Sequence, residues 1–159
     1  MIKTLLIIGN CGVGKTWIMR KLIEDSPNKP LKLGKFLFHE TDKLIIVGKY
    51  DGSVFEGSDR LSMSVITDLD KMLMYIKNKN KISIFEGDRF TNSVFIKKAN
   101  PEICKILGDG EKGRLNRRSK QSTRHLKNMS SRVDNIKAHK NFNNSLDCFA
   151  YIQNLISET

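Results

Sequence analysis

Apolar and polar positions fall along this chain in blocks of recognisable length. Leu5, Leu6, Ile7 and Ile8 are an unbroken apolar run that stops at Gly9, the pattern of a strand buried on both faces. From Thr16 to Asp25 the spacing becomes helical, with Trp17, Ile18, Leu22 and Ile23 on one face. Ser26-Pro27-Asn28-Lys29-Pro30 then reads as a loop. Lys35–Glu40 and Leu44–Tyr50 are strand-like and only Thr41-Asp42-Lys43 separates them. So short a connection cannot make a parallel crossover, so the pair is expected to be an antiparallel hairpin. Its second arm is expected to join the sheet beside the first strand.

Asp51–Asp59 is a loop, and a helix is expected from about Leu61 to Asn78, where Val65, Leu69, Met72, Leu73 and Ile76 recur at helical spacing. Its methionines read as core packing. Lys81–Glu86 is the next strand, Gly87–Phe90 a turn, Thr91–Ala99 a short helix and Ile103–Leu107 a further strand. Gly108-Asp109-Gly110 breaks the pattern. Lys112 to Ile136 is polar and mostly helical, and Leu146–Ile156 closes the chain as a helix using Leu146, Phe149, Ile152 and Ile156.

Alternation of this kind predicts a three-layer α/β domain with a mostly parallel sheet and one antiparallel hairpin. Ligands in such folds sit beyond the carboxyl ends of the strands. Four loops fall there: Gly9–Thr16, Asp51–Arg60, Glu86–Phe90 and the segment after Leu107. The first is the sharpest signal. Gly9, Asn10, Cys11, Gly12, Val13, Gly14, Lys15 and Thr16 spell G-x-x-x-x-G-K-T between a strand and a helix, the setting in which that motif cradles phosphates. Its glycines let backbone N–H groups turn inward, and the helix adds its positive end. Lys15 is expected to reach the β- and γ-phosphates of ATP, and Thr16 to hold Mg²⁺. With 159 residues, positions 1–159 are expected to make one P-loop domain with a basic helical lid at about 110–136.

Charge sharpens the picture. The net charge is +11, and between Glu111 and Lys140 five Arg and five Lys stand against Glu111 and Asp134, about +8 of that total. A basic excess on a phosphate-handling protein either closes over nucleotide phosphates or holds a polyanion. No apolar stretch approaches the roughly 18 residues of a membrane span. The first residues do not read as a secretion signal. Cys11, Cys104 and Cys148 are scattered without metal-ligand spacing, which fits a reducing cytoplasm. In the loop, the backbone of Cys11 is expected to matter more than its thiol.

A guanine-reading Asn-Lys-x-Asp loop is absent: Asn78-Lys79-Asn80-Lys81 lacks the Asp and precedes a strand. A small kinase fits better, with a basic lid that excludes water from ATP. Transfer to a hydroxyl needs an acid to orient it and accept its proton. Asp59 fits, at the end of a loop on the ligand edge; a helix N-cap is its other reading. Arg60 reads as a contact to a substrate phosphate or a partner of a surface acid. Glu86 and Asp88, at the end of a strand, are alternatives for the Mg²⁺ shell opposite Thr16. Asp88 and Arg89 suit substrate binding, or an internal ion pair at a turn. In the lid, Arg114 and Arg118 are expected on ATP phosphates, with Arg118 catalytic, and Lys127 and Arg132 on substrate. His39, His125 and His139 do not cluster and read as ordinary polar residues.

Four strings carry a family resemblance: Val47-Gly48-Lys49-Tyr50-Asp51-Gly52, Gly57-Ser58-Asp59-Arg60-Leu61-Ser62, Phe85-Glu86-Gly87-Asp88-Arg89-Phe90, and Ser119-Lys120-Gln121 followed by Arg132-Val133-Asp134-Asn135-Ile136. Over Ile2 to Ile136 the chain resembles small P-loop kinases of bacteriophages associated with DNA hypermodification. The resemblance implies an ATP- and Mg²⁺-dependent phosphotransferase acting on the hydroxyl of 5-hydroxymethyluracil in double-stranded phage DNA, in the cytoplasm of the infected host. A second resemblance lies in Asp88-Arg89-Phe90-Thr91-Asn92-Ser93, which looks like the D-R-[FY]-x-x-S string of thymidylate kinases. It implies a free pyrimidine nucleotide or nucleoside as acceptor. Gly9–Thr16 lacks the acidic residue usual in that family's P-loop. A third reading is a module that binds ATP and DNA without turnover.

Overall fold

The computed structural model describes residues 4–52, 57–116 and 122–159. Strands β1 (Thr4–Gly9), β2 (Lys29–Leu33), β3 (Phe36–Glu40), β4 (Leu44–Val47), β5 (Ile82–Glu86), β6 (Glu102–Ile106) and β7 (Lys140–Phe142) form one sheet in the order β2-β3-β4-β5-β1-β6-β7. The pairings from β4 through β7 are parallel, and β3 runs antiparallel to both β2 and β4. The helices are α1 (Lys15–Glu24), α2 (Leu69–Lys79), α3 (Ser93–Ala99), α4 (Glu111–Asn116), α5 (Thr123–Asn135) and α6 (Ser145–Ser157).

Period-2 alternation in β1 explains the layers. Leu6 and Ile8 face a core made with α2, α3 and the hairpin, including Phe36, Val65, Leu69, Met72 and Phe95. Leu5 and Ile7 face the opposite core, with Ile18, Met19 and Leu22 of α1 and Cys148 and Ile152 of α6. Burial on both faces is why the run Leu5–Ile8 shows no alternation of its own. Phe85, Phe90 and Phe95 meet with ring centroids 4.7–5.0 Å apart. That cluster pins the single 3₁₀ turn Asp88–Phe90 after β5, and so fixes where Asp88 and Arg89 start.

The hairpin is antiparallel, as its short connection requires, but the second arm does not join β1. β5 lies between β4 and β1. Ser26–Pro30 is not all loop: Lys29 and Pro30 open β2, an edge strand, where a proline is tolerated. β7 is a further strand absent from the sequence expectation. The helix expected from Leu61 begins at Leu69, after 3₁₀ turns at Ser58–Arg60 and Val65–Asp68. In α6, Cys148 and Ile152 are buried while Leu146 is 64% exposed, so Leu146 does not serve the packing face. Among the described residues no helix is long and apolar enough to cross a membrane.

β1 is the topological switch point. The chain leaves it for the β4–β5 side and later crosses to β6 on the other. A crevice opens beyond the carboxyl end of such a strand, and Gly9–Thr16 fills that place.

Candidate functional site

A cavity of about 310 Å³ lies at this crevice. One wall is the glycine loop, through Cys11, Gly12, Gly14, Lys15 and Thr16; the facing wall is Ser58, Glu86, Gly87 and Asp88. Trp17 and Arg20 close it from α1, and Gly113 and Met129 from the basic segment.

The loop's shape follows from its glycines. Gly12 and Gly14 sit at φ 93° and 105°, in the left-handed region that side chains disfavour. Gly14 is the N-cap of α1 and, as glycine, offers no side chain of its own to cap the helix start. The first turn of a helix and the positive end of its dipole suit an anion. Lys15 Nζ donates to the carbonyls of Gly9 (2.7 Å) and Asn10 (3.0 Å), so the ammonium lies over its own loop.

Opposite, Glu86 is buried at 3% exposure. Its carboxylate accepts from the Tyr50 hydroxyl (3.2 Å) and the Ser58 amide (3.4 Å). Asp88 accepts two hydrogen bonds from Arg132 of α5, each 2.7 Å. So Asp88 pairs with Arg132 and not with its neighbour Arg89. Arg89 Nε is buried and has no partner among the described residues, an unusual state for a guanidinium nitrogen. Arg60 pairs with Asp51 at 2.8 Å. Asp59 lies inside the Ser58–Arg60 turn, and the helix it was expected to open starts eight residues past Leu61.

Thr16, Glu86 and Asp88 bring a hydroxyl and two carboxylates to one cavity. Hard oxygen donors of this kind suit Mg²⁺, which takes one or two carboxylates and completes its shell with water and phosphate. The residues present therefore fit that ion.

The basic segment is seated on the loop itself. Leu126, Met129 and Val133 form the apolar stripe of α5, and they pack on Cys11. The Cys11 side chain thus has a packing role that its place in a phosphate-type motif does not suggest. Arg114 donates to the carbonyls of Cys11 (2.8 Å) and Asp109 (2.6 Å). Arg124 and Lys127 are exposed on α5, and Lys137 and Lys140 beyond it. Arg118 and Lys120 lie outside the described residues. His39 and His139 make structural hydrogen bonds, to Asn28 and Tyr50 and to the Ile103 amide respectively.

Sequence reasoning placed the glycine loop, Glu86 and Asp88 at one edge, and the structure brings them together. It missed Trp17, Arg20, Ser58, Gly113 and Met129. Arg20 was readable, since it falls four residues after Thr16 and so on the same face of α1. Ser58 stood in the ligand-edge loop Asp51–Arg60 without a role of its own, and Met129 left no signal, because its position depends on how α5 docks on the loop.

The chain's sequence matches no protein-family model and no characterised protein at a significant level.

Proposed function

We propose that the protein is an ATP-dependent kinase that transfers the γ-phosphoryl group to the hydroxymethyl oxygen of a modified pyrimidine, 5-hydroxymethyluracil, in double-stranded phage DNA. The observation that carries the reading is a single cavity shared by Lys15 and Thr16 on one wall and Glu86 and Asp88 on the other. The proposal takes the α/β sheet as a P-loop kinase fold, with residues 110–136 as its basic lid.

Lys15 turns from its loop carbonyls to the β- and γ-phosphates, and loop amides hold the remaining oxygens. Thr16 with Glu86 or Asp88 would hold Mg²⁺, which neutralises charge on the transferred group. Asp59 accepts the acceptor's proton as its oxygen bonds to the γ-phosphorus. The bridging P–O bond then breaks and ADP leaves. Arg118 stabilises the charge that develops. The exposed cations of α5 and beyond it form a surface wider than a free nucleotide needs, which favours a duplex with an extruded base.

One observation favours a second reading. Arg89 Nε, without a partner among the described residues, sits in the Asp88–Phe90 turn, where the thymidylate-kinase resemblance places contacts to a free pyrimidine nucleotide. A transfer assay with labelled ATP separates the readings. Offered side by side, hydroxymethyluracil DNA takes label under the first and free pyrimidine nucleotides under the second. Binding of ATP and DNA with no labelled product means a non-catalytic module.

A further inference from the structure

Gly113 stands inside α4, in Glu-Lys-Gly-Arg-Leu-Asn, where glycine is the poorest helix former after proline. Its backbone is not in the left-handed region, so alanine would suit the local conformation and strengthen the helix. What forbids alanine is the neighbour. A Cβ at position 113 would overlap the Gly12 carbonyl oxygen, and one at Gly110 would overlap the carbonyl oxygen of Cys11. A Cβ at Gly12 would in turn overlap the Gly110 carbonyl and stand 2.8 Å from the Arg114 amide nitrogen. The two backbones are in direct contact, without side chains between them. Arg114 adds its hydrogen bond to the Cys11 carbonyl at 2.8 Å.

From this contact we infer that α4 is a positioning element for the nucleotide site: Gly110, Gly113 and Arg114 hold the carbonyls of Cys11 and Gly12, which fixes two peptide planes of the glycine loop, one carrying the Gly12 amide and the other the Val13 amide that closes the loop turn on the Asn10 carbonyl at 3.3 Å. The inference rests on the nucleotide-binding reading above and deepens it. A peptide unit is planar, so fixing its carbonyl fixes the direction of the N–H on the other side. Arg114 then acts through the loop backbone and not by touching phosphate. It also explains a local conflict in the sequence. A glycine that weakens a short helix is kept where only hydrogen fits.

Calorimetric titration with Mg·ATP and Mg·ADP tests this, with the fluorescence of Trp17 as a second signal. Trp17 is the sole tryptophan and lines the cavity. The parent is measured first. If it binds neither nucleotide, the nucleotide reading fails and this inference falls with it. Where the parent binds, Gly113→Ala is expected to lose at least tenfold in affinity for both nucleotides while its circular dichroism keeps the parent's helix signal. Affinity within twofold of the parent overturns the inference alone. If Gly113→Ala does not fold, Arg114→Ala decides by hydrogen exchange without nucleotide. A positioning role predicts exchange at the Gly12 and Val13 amides at least tenfold faster than in the parent. Unchanged loop amides would show that Arg114 does not hold the loop, and would overturn the inference.

Discussion

Arg132 of α5 grips Asp88 at the end of β5 through a two-pronged pair, Nε to Oδ1 and Nη2 to Oδ2, each 2.7 Å. The fork geometry is the strong form of this interaction, yet the side chains are 44% and 21% exposed, so solvent screens it. Asp88→Asn, Arg132→Lys and the double variant should show a coupling of about 1 kcal/mol in a double-mutant cycle. Either single variant should speed amide exchange in α5 more than elsewhere. Strictly additive losses would mean the pair does not tie α5 down.

Lys15→Ala should abolish transfer and weaken ATP binding in a folded protein. The lost contacts to the Gly9 and Asn10 carbonyls should cost only about 1 kcal/mol of stability. Turnover and thermal unfolding are to be read on one preparation. Full turnover in the folded variant would defeat the kinase proposal.

Asp59→Asn should slow the chemical step strongly and change ATP affinity little. Asparagine matches aspartate in size and in turn-forming hydrogen bonds, so a purely structural role in the Ser58–Arg60 turn predicts little loss. A single-turnover rate within about threefold of the parent, less than roughly 1 kcal/mol of barrier, would remove Asp59 from the chemistry.

His39 gives a pH prediction. Burial holds its imidazole below the ordinary value of 6.5. Nε2 accepts from the Tyr50 amide while Nδ1 faces the Asn28 side-chain oxygen, an arrangement that the neutral ring with its proton on Nδ1 satisfies. A second proton would point at a donor. The unfolded chain therefore binds more protons than the folded one just below pH 6.5. His39 should contribute its full stability above that pH and lose it as pH falls towards the lowered folded value. Urea midpoints between about pH 5 and 8 should fall more steeply on the acid side in the parent than in His39→Gln. Parallel curves would rule this out.

A basic segment that holds duplex DNA should make log affinity fall linearly with log salt, each phosphate contributing about −0.9 and the whole roughly −3 to −5. Charge reversal at exposed Lys127 or Lys137 should flatten the slope and leave ATP affinity nearly unchanged. A slope near zero would exclude the duplex as partner.

Much of the fold was legible because long periodic segments dominate it. Leu5–Ile8, the hairpin's short connection and the helical spacing from Leu69 to Ile76 each had one sensible reading. β2 was hidden because Ser26, Pro27 and Pro30 look like punctuation, whereas an edge strand lets Pro30 sit opposite His39 without an N–H to donate. β7 is three residues long, too short to show a period. The placement of β5 between β4 and β1 depends on pairing preference across distant segments, which no local pattern encodes. At the site, the glycine loop and the acids after β5 were visible as motifs. The contact of Gly113 with Gly12 was not, although a glycine within a helix is itself a sign of close approach.

The seating of the glycine loop also orders events in time. β1 is made before its sheet neighbours β5 and β6, but the hydrogen bond from Ser83 to Thr4 spans 79 positions and that from Arg114 to Cys11 spans 103. A chain emerging from the ribosome at about 5–20 residues per second therefore exposes an apolar strand for several seconds before either neighbouring strand arrives. Closing such distant pairs costs loop entropy that is repaid only on docking. The glycine loop after β1 is among the last parts to take its final form, and nascent chains that stop short of α4 should not yet hold it.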